Sequence, residues 1–384
     1  MGALSLPDLD KKYEGFYYPV ARTYMGGANP EEDKKLSLSV EDYVVELTSD
    51  LKASIATFSI LGAFDAGTGA FMVKDLKKYI SLGTDVKILM GHSANVTEVF
   101  KGYVARVDFT YDFESPALAA VKITAMDIKG IMMANNSSRR LKANYYSDAV
   151  KEILDQSPYQ TLKNNGIIDN ITISDTPDKP PGGASGGETP DIRIEMVAES
   201  DYEFIAKTAK KFNFEFFAVG GNVAFRKAKM NTQVLMDIIP HPCVLGYEIG
   251  YDITGVVGEV KVRTLDIGKS KKIEVKKKNT GKVSLGSKAK PLISSQAYVY
   301  IDSAIESQKD AENRAEYILE DISYRLGHIH MELKGLPELV PGRFIQLKDF
   351  GDGISNKYYI TDVTHEYYLN GNFKTTIEGK AATL

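Results

Sequence analysis

Gly183-Ala184-Ser185-Gly186-Gly187 has the Gly-x-Ser-x-Gly spacing that turns a serine nucleophile out between a strand and a helix. That turn needs a hydrophobic strand before the serine and a helix after it, whereas Pro180 and Pro181 precede it here and Pro190 follows, so the residues read as a flexible loop. His328-Ile329-His330 would set two imidazoles on one face of a strand, and His241-Pro242-Cys243 offers two further donors. Neither has a third and fourth ligand at usable spacing, and a structural zinc wants a closed set of four, so these read as strand histidines and no metal is expected. Glu31-Glu32-Asp33 and Glu320-Asp321 are adjacent carboxylates, which a helix points to different sides, so they do not make an acid–base pair by themselves. Gly281 to Lys288 has the glycine spacing of a phosphate loop but places Ser287 before Lys288, which spoils the order of the cradle. The lysines crowded between Lys269 and Lys290 are interleaved by Ile267, Ile273, Val275, Val283 and Leu285, with no aromatic to stack a base. They read as a loop facing solvent or an acidic partner rather than nucleic acid. No catalytic residue and no cofactor are expected.

The elements around these residues are mostly short strands. Residues 1–34 are polar and rich in Gly, Tyr and acidic groups, with too little aliphatic surface to order alone, and are expected to form an N-terminal arm. Residues 35–135 carry Tyr43, Val45 and Leu47, then Ala56, Phe58 and Ile60, Val86, Ile88 and Met90, and Val121, Ile123 and Ala125 at period two, interrupted by one helix near Phe71 to Ile80. This predicts a first small β-barrel. Residues 136–250 change texture. Ser147 is positioned to cap a helix that Pro158 ends, and the stretch 176–190, with four prolines and four glycines, reads as a loop within an α+β middle domain. Ser200-Asp201-Tyr202-Glu203 is a capping box that starts a helix, followed by period-two Phe212, Phe214 and Phe216, a turn at Gly220-Gly221-Asn222, and a returning strand through Phe225. Residues 251–384 predict a second β-barrel of similar content, holding a Lys-rich loop at 268–291 and a helix at 308–326 capped by Ser307. The expected class is therefore α+β and β-rich, with two similar small barrels flanking an α+β middle.

Composition excludes other classes. A chain of 384 residues with 43% hydrophobic content is long enough for several cores, and a formal net charge of −4 gives no global attraction to nucleic acid or anionic membrane. The single cysteine, Cys243, rules out an internal disulfide. No basic-then-apolar leader follows Met1, so no signal peptide is expected, and no apolar run is long enough to span a membrane.

The order Glu199-Ser200-Asp201-Tyr202-Glu203-Phe204, helix, aromatic strand, Gly221 turn and Phe225-Arg226 resembles the phage late control protein D family. That family includes the hub half of the VgrG proteins of type VI secretion and the central baseplate hub of contractile phage tails. Phe100-Lys101-Gly102-Tyr103-Val104, Pro341-Gly342-Arg343-Phe344 and the strand Tyr358 to His365 fall in the family's order as well, and the resemblance covers roughly residues 35–380. It implies a non-enzymatic homotrimeric ring in which two barrels per chain imitate sixfold symmetry, joining a tail tube to a threefold spike. Its implied partners are itself, the tube protein, baseplate wedge proteins and a spike that is a separate polypeptide, since the chain ends at Leu384 just after the second barrel. The implied location is the baseplate of a virion or tail-like particle made in the bacterial cytoplasm. Glu199, Ser200, Asp201, Tyr202, Phe204, Gly221, Phe225, Gly102, Pro341, Gly342 and His365 are then architectural residues. A tail-associated peptidoglycan hydrolase is the alternative, with no spare segment of domain size to hold it.

Overall fold

The computed structural model describes residues 3–50, 52–115, 118–179, 194–266, 271–280, 286–302, 305, 307–351, 354–368 and 371–383. After α1 (Leu6–Lys12), six longer strands build the first half: β1 (Pro19–Met25), β2 (Ser39–Thr48), β3 (Ile55–Leu61), β4 (Asp85–His92), β5 (Asn95–Thr110) and β6 (Ala120–Met126), with α2 (Val73–Ile80) before β4. The middle holds α3 (Ile128–Ala134), β7 (Ser137–Arg140), α4 (Tyr146–Leu154), α5 (Ser157–Asn164), β8 (Asn170–Ile173), β9 (Glu195–Glu199), α6 (Asp201–Phe212), β10 (Phe214–Val219) and β11 (Asn222–Lys227). The second half opens with β12 (Val234–Ile238) and β13 (Val244–Tyr251). It is then interrupted by β14 (Glu259–Asp266), β15 (Lys271–Lys278), α7 (Gly286–Ser294), β16 (Ala297–Ile301) and α8 (Gln308–Ser323). It closes with β17 (Gly327–Lys334), β18 (Phe344–Leu347), β19 (Lys357–Tyr368) and β20 (Asn372–Ala381). The expected class, β-rich α+β, is the one observed.

Both halves belong to one 13-stranded sheet with the same internal order. The first runs β1-β4-β5-β6-β3-β2 and the second β12-β18-β19-β20-β17-β13, so each half places its strands in the same permutation of chain order. The likeness extends to backbone detail. In β5 the ladder with β6 skips a residue between Val104 and Arg106, and in β19 the ladder with β20 skips one between Ile360 and Asp362. Gly83 and Gly342, both at positive φ (+85° and +78°), enter the fourth strands and donate to the carbonyls of Val104 and Ile360, at 2.8 and 3.0 Å. One difference stands out: β1 pairs β4 antiparallel, whereas β12 pairs β18 parallel.

The period-two residues fill this sheet as their spacing predicts. Tyr43, Val45, Leu47, Ala56, Phe58, Ile60, Val86, Ile88 and Met90 are buried in a core that also contains Ile329, Met331, Leu333, Ile345, Val363 and Ile377 from the second half. At about 1.5–3 kcal/mol per buried large aliphatic side chain, this shared core is what fuses the halves.

The observed boundaries differ from the expected ones, for physical reasons. The N-terminal arm is part of the sheet: β1 pairs β4, Leu4–Ser5 pairs β12, and Leu6, Leu9, Tyr13, Phe16 and Met25 are buried. Two strand edges take the arm up, and its few aliphatic side chains are buried together with its aromatic rings. β12 and β13, expected in the middle, extend the second half, and of the stretch Val256 to Val262, expected to open the second barrel, the part from Glu259 on lies in a separate sheet ordered β15-β14-β16. Among the described residues the Lys-rich segment holds a strand and the start of a helix rather than only a loop. Ile273 and Val275 alternate inward against Ala311, Ala315, Ile318 and Ile322 of α8, while Glu274 on the outer face pairs with Arg263, Lys272 and Lys276 at 2.9, 2.7 and 3.2 Å. Lys269, Lys282 and the Gly-x-Ser-x-Gly loop lie outside the described residues, as does most of the phosphate-loop-like stretch.

Candidate functional site

Two helix starts show how the middle is assembled. In α6 the Ser200 hydroxyl accepts from the Glu203 amide at 3.1 Å and the Glu203 carboxylate accepts from the Ser200 amide at 2.7 Å, completing the capping box, and Asn213 in left-handed conformation ends the helix. In α4, Ser147 lies inside the first turn and does not cap it. The Tyr146 and Ser147 amides donate instead to Asp178 and Thr176, at 3.0 and 2.9 Å, from the segment expected to be only a loop. Pro158, expected as a stop, occupies the first turn of α5.

The residues that carry the family resemblance are placed as anchors among these elements. Asp201 is buried at the head of α6, where the helix dipole favours its charge, and accepts from Asn135 (2.6 Å), Arg139 (2.7 Å) and the Tyr159 hydroxyl (2.6 Å). Burial together with that carboxylate pushes the Tyr159 phenol far above its ordinary value. Glu199 pairs with Lys207 at 2.6 Å, and Tyr202, Phe204 and Phe225 are buried in the middle core. Gly221 forms the turn between β10 and β11. Gly102 lets β5 pass β6 closely, since a Cβ there would meet the Met126 carbonyl. Pro341 is buried, and the Gly342 carbonyl accepts from Arg226 at 3.1 Å. Arg226 in turn donates to Glu215 (2.7 Å), which also accepts from the Tyr359 hydroxyl (2.6 Å), so one carboxylate ties the middle to the second half.

The tie to the first half is a buried ion pair. Asp127 caps α3 through the Lys129 amide (2.9 Å) and accepts from the Ser54 amide (3.0 Å). The Lys129 ammonium, fully buried, reaches the Asp50 carbonyl (3.3 Å) and lies 3.8 Å from Asp127. Burial pushes Asp127 up and Lys129 down from their ordinary values, each opposed by the other's charge.

The two halves meet at β19 and β2, antiparallel from Asp362 opposite Thr48 to Tyr367 opposite Tyr43. Tyr43 and Tyr367 pack edge to face at 5.8 Å. His365, fully buried in this seam, shares a 2.9 Å hydrogen bond with the Thr375 hydroxyl, and burial pulls its pKa down to about 4. A second seam joins α1 and β4 to the second half: Tyr13 donates to Glu338 (2.6 Å), and buried His92 donates to the Gly335 carbonyl (2.8 Å) among Tyr13, Phe16 and Phe373.

The residues weighed for catalysis are scattered. His330 pairs with Glu378 at 2.5 Å, and His241 accepts from the Cys243 amide at 3.3 Å. Among the described residues no group of three or more His, Cys, Asp or Glu could hold a metal ion. A cleft of about 410 Å³ lies between α6 and α8, but its Lys211 is set over the Tyr146 ring at 4.4 Å and 3.9 Å from Asp310, a contact that joins the two units. No described helix is long and apolar enough to cross a membrane. What the molecule presents is a built scaffold with strand edges. Of the seam residues, Tyr43 and His365 were singled out by the sequence, but the pairing that joins them was not; its one signal was the paired Tyr103-Val104 and Tyr359-Ile360, a repeat too short to register locally.

No family model matches the chain, and no curated protein matches it. Solved structures do. The tail protein from Neisseria meningitidis MC58 is similar with a TM-score of 0.64 at 12% identity, covering 95% of this chain and 97% of that one. The 43 kDa tail protein of prophage MuSo2 from Shewanella oneidensis gives 0.65 at 12% identity, over 95% and 98%. The fold is one that phage tail proteins share. A type VI secretion system component of E. coli, described as structurally similar to the T4 bacteriophage tail proteins gp27 and gp5, gives 0.52 at 9% identity over 93% of this chain and 76% of that one.

Proposed function

We propose that this chain is a non-enzymatic baseplate hub of a contractile tail, tailocin or injection system, acting as a homotrimer that joins a sixfold tail tube to a threefold spike. The observation that carries the reading is the repeated strand permutation with its repeated bulge. Three chains with two such halves present six near-equivalent units, so a threefold assembly can seat a sixfold tube without mismatch. The likeness to tail proteins of known structure supports a structural place in a virion or tail-like particle, with tube, wedge and spike proteins as partners. The anchors at Glu215 and Lys129 act as rigid joints between units rather than as chemistry, Asp201 ties the elements of the middle to one another, and the family-motif residues serve the same architectural end.

The test is mass in solution by light scattering together with negative-stain images. Three copies around an open channel are expected; a closed particle without a channel, or an assembly with an even number of copies, sinks the reading. A peptidoglycan zymogram is expected to stay blank, and retention on DNA is expected to be absent at moderate salt.

A further inference from the structure

The seam between β19 and β2 joins the fifth strand of one half to the second strand of the other. The same two kinds of edge recur unused elsewhere in the chain. Among the described residues, β13, the second strand of its half, pairs only with β17. The fifth strand β5 is released by β4 after Tyr103, just as β19 is released by β18 after Tyr359, and among the described residues its edge from Arg106 onward has no strand partner on that side. In β19 the corresponding edge, from Asp362, is the one that takes β2.

The ladders fix the equivalence residue by residue. Tyr103 and Val104 before the bulge correspond to Tyr359 and Ile360, so Arg106, Phe109 and Tyr111 correspond to Asp362, His365 and Tyr367. Ile55 and His328 lie opposite the corresponding Met126 and Lys380, and their own partners Glu46 and Gly250 therefore correspond, which matches Tyr43 to Tyr247 and Thr48 to Asp252.

We propose that β13 of one copy adds antiparallel to the free edge of β5 of a second copy, in the register of the seam within the chain. This rests on the trimeric ring proposed above and names the surfaces that close it: seams within chains would alternate with seams between chains, head to tail, until the ring is complete. The residues opposed in that register suit one another. Arg106, whose side chain is 71% exposed, would face Asp252 of the second copy, and Phe109 would face its Ile249. Tyr111 would face its Tyr247, repeating the Tyr367–Tyr43 pair already present inside the chain. Phe109, Tyr111 and Tyr247 are 45%, 46% and 48% exposed, and an apolar groove of about 510 Å³ runs along the β5 edge between Leu82 and Val107. Two long open edges with apolar side chains would otherwise invite indiscriminate pairing.

Within the chain the Ser49 amide donates to the Thr361 carbonyl at 2.9 Å, which makes Asp362–Thr48 and every second pair after it the closely spaced kind. By equivalence Thr110 and Glu248 form such a pair across the new seam, with Cβ atoms close enough for a disulfide. In the full chain carrying Thr110→Cys and Glu248→Cys, mild oxidation is expected to link most copies covalently into trimers on a denaturing gel. Either single variant should stay unlinked, and the double variant with Ile249→Cys in place of Glu248→Cys should link far less. Both sites are at the surface, and near-ultraviolet circular dichroism checks that the fold is intact. Phe109→Asp is expected to shift the assembly to monomer while the far-ultraviolet spectrum, which reports the backbone, stays the same. A particle of trimeric mass that does not cross-link overturns the edge pairing and leaves the ring standing; a chain that never forms trimers overturns both.

Discussion

The first half connects its second and third strands through residues 49–54, whereas the second half runs from Asp252 to Leu326 over the same step and carries a sheet and two helices on the way. Strand order, bulge and entry glycine are nonetheless the same in both. The insertion is tolerated because its ends still meet as a hairpin would, the Asp252 amide donating to the Leu326 carbonyl at 2.8 Å, and loop-closure entropy grows only slowly with length. The first half spends the same corner differently: Thr48 and Ser54 close it over the buried Asp127–Lys129 pair, which docks the middle domain. What is shared is therefore what packs the core, and what differs is what each half holds against its surroundings.

The sharpest way to break this comparison is at that corner. Lys129→Ala leaves Asp127 buried without its cation, and a loss of about 3–5 kcal/mol is expected in chemical denaturation. Removing Asp252, whose carboxylate only caps an exposed turn at Thr254, should cost far less.

The seam offers a second test, because His365 occupies the place that Phe109 holds in the first half. The folded protein keeps His365 neutral, with a pKa lowered from 6.5 to about 4, while the unfolded chain takes up a proton below about 6.5. Stability from this group is present at neutral pH and is lost as pH falls from about 6.5 to about 4, by roughly 3 kcal/mol in all. Denaturation midpoints at pH 7 and pH 4.5 should record most of that loss, and His365→Phe, importing the first half's residue, should flatten it.

The entry glycines offer a third test, and Gly83 gives the smallest effect of all. Both stand at positive φ, but a Cβ on Gly342 would lie 2.5 Å from the Phe217 ring, while one on Gly83 would meet nothing within 4 Å. Gly342→Ala is expected to cost roughly 3 kcal/mol through strain and overpacking, and Gly83→Ala about 1 kcal/mol through backbone strain alone, measured by thermal unfolding. Equal costs would mean that the Phe217 ring gives way and that the two turns are more alike than their surroundings indicate.

Much of the fold was legible locally. Period-two runs gave the strands of both halves, Ser200 and Glu203 gave the start of α6, and Ser307 gave the start of α8, whose amide partner at Asp310 is 3.0 Å away. The lysine segment was misread because counting charge hid its alternation with Ile273 and Val275. Ser147 was misread because the groups that cap α4 come from Thr176 and Asp178, across a long stretch of chain that no local motif links to it. The arm was misread because aromatic residues such as Tyr13 and Phe16 order only against the edges and the histidine that the rest of the chain supplies.

By itself the sequence determined the class of the protein: side-chain periodicity and capping chemistry act within a few residues, so strands, helices and a β-rich α+β content follow from them. Only the tertiary structure decided that two halves share one sheet and one core, that Glu215 locks the middle to the second half and the Asp127–Lys129 pair locks it to the first, and which edges are left over. Those outcomes depend on contacts between residues from about seventy to more than three hundred positions apart, where pairing is set by shape, register and burial rather than by any local pattern.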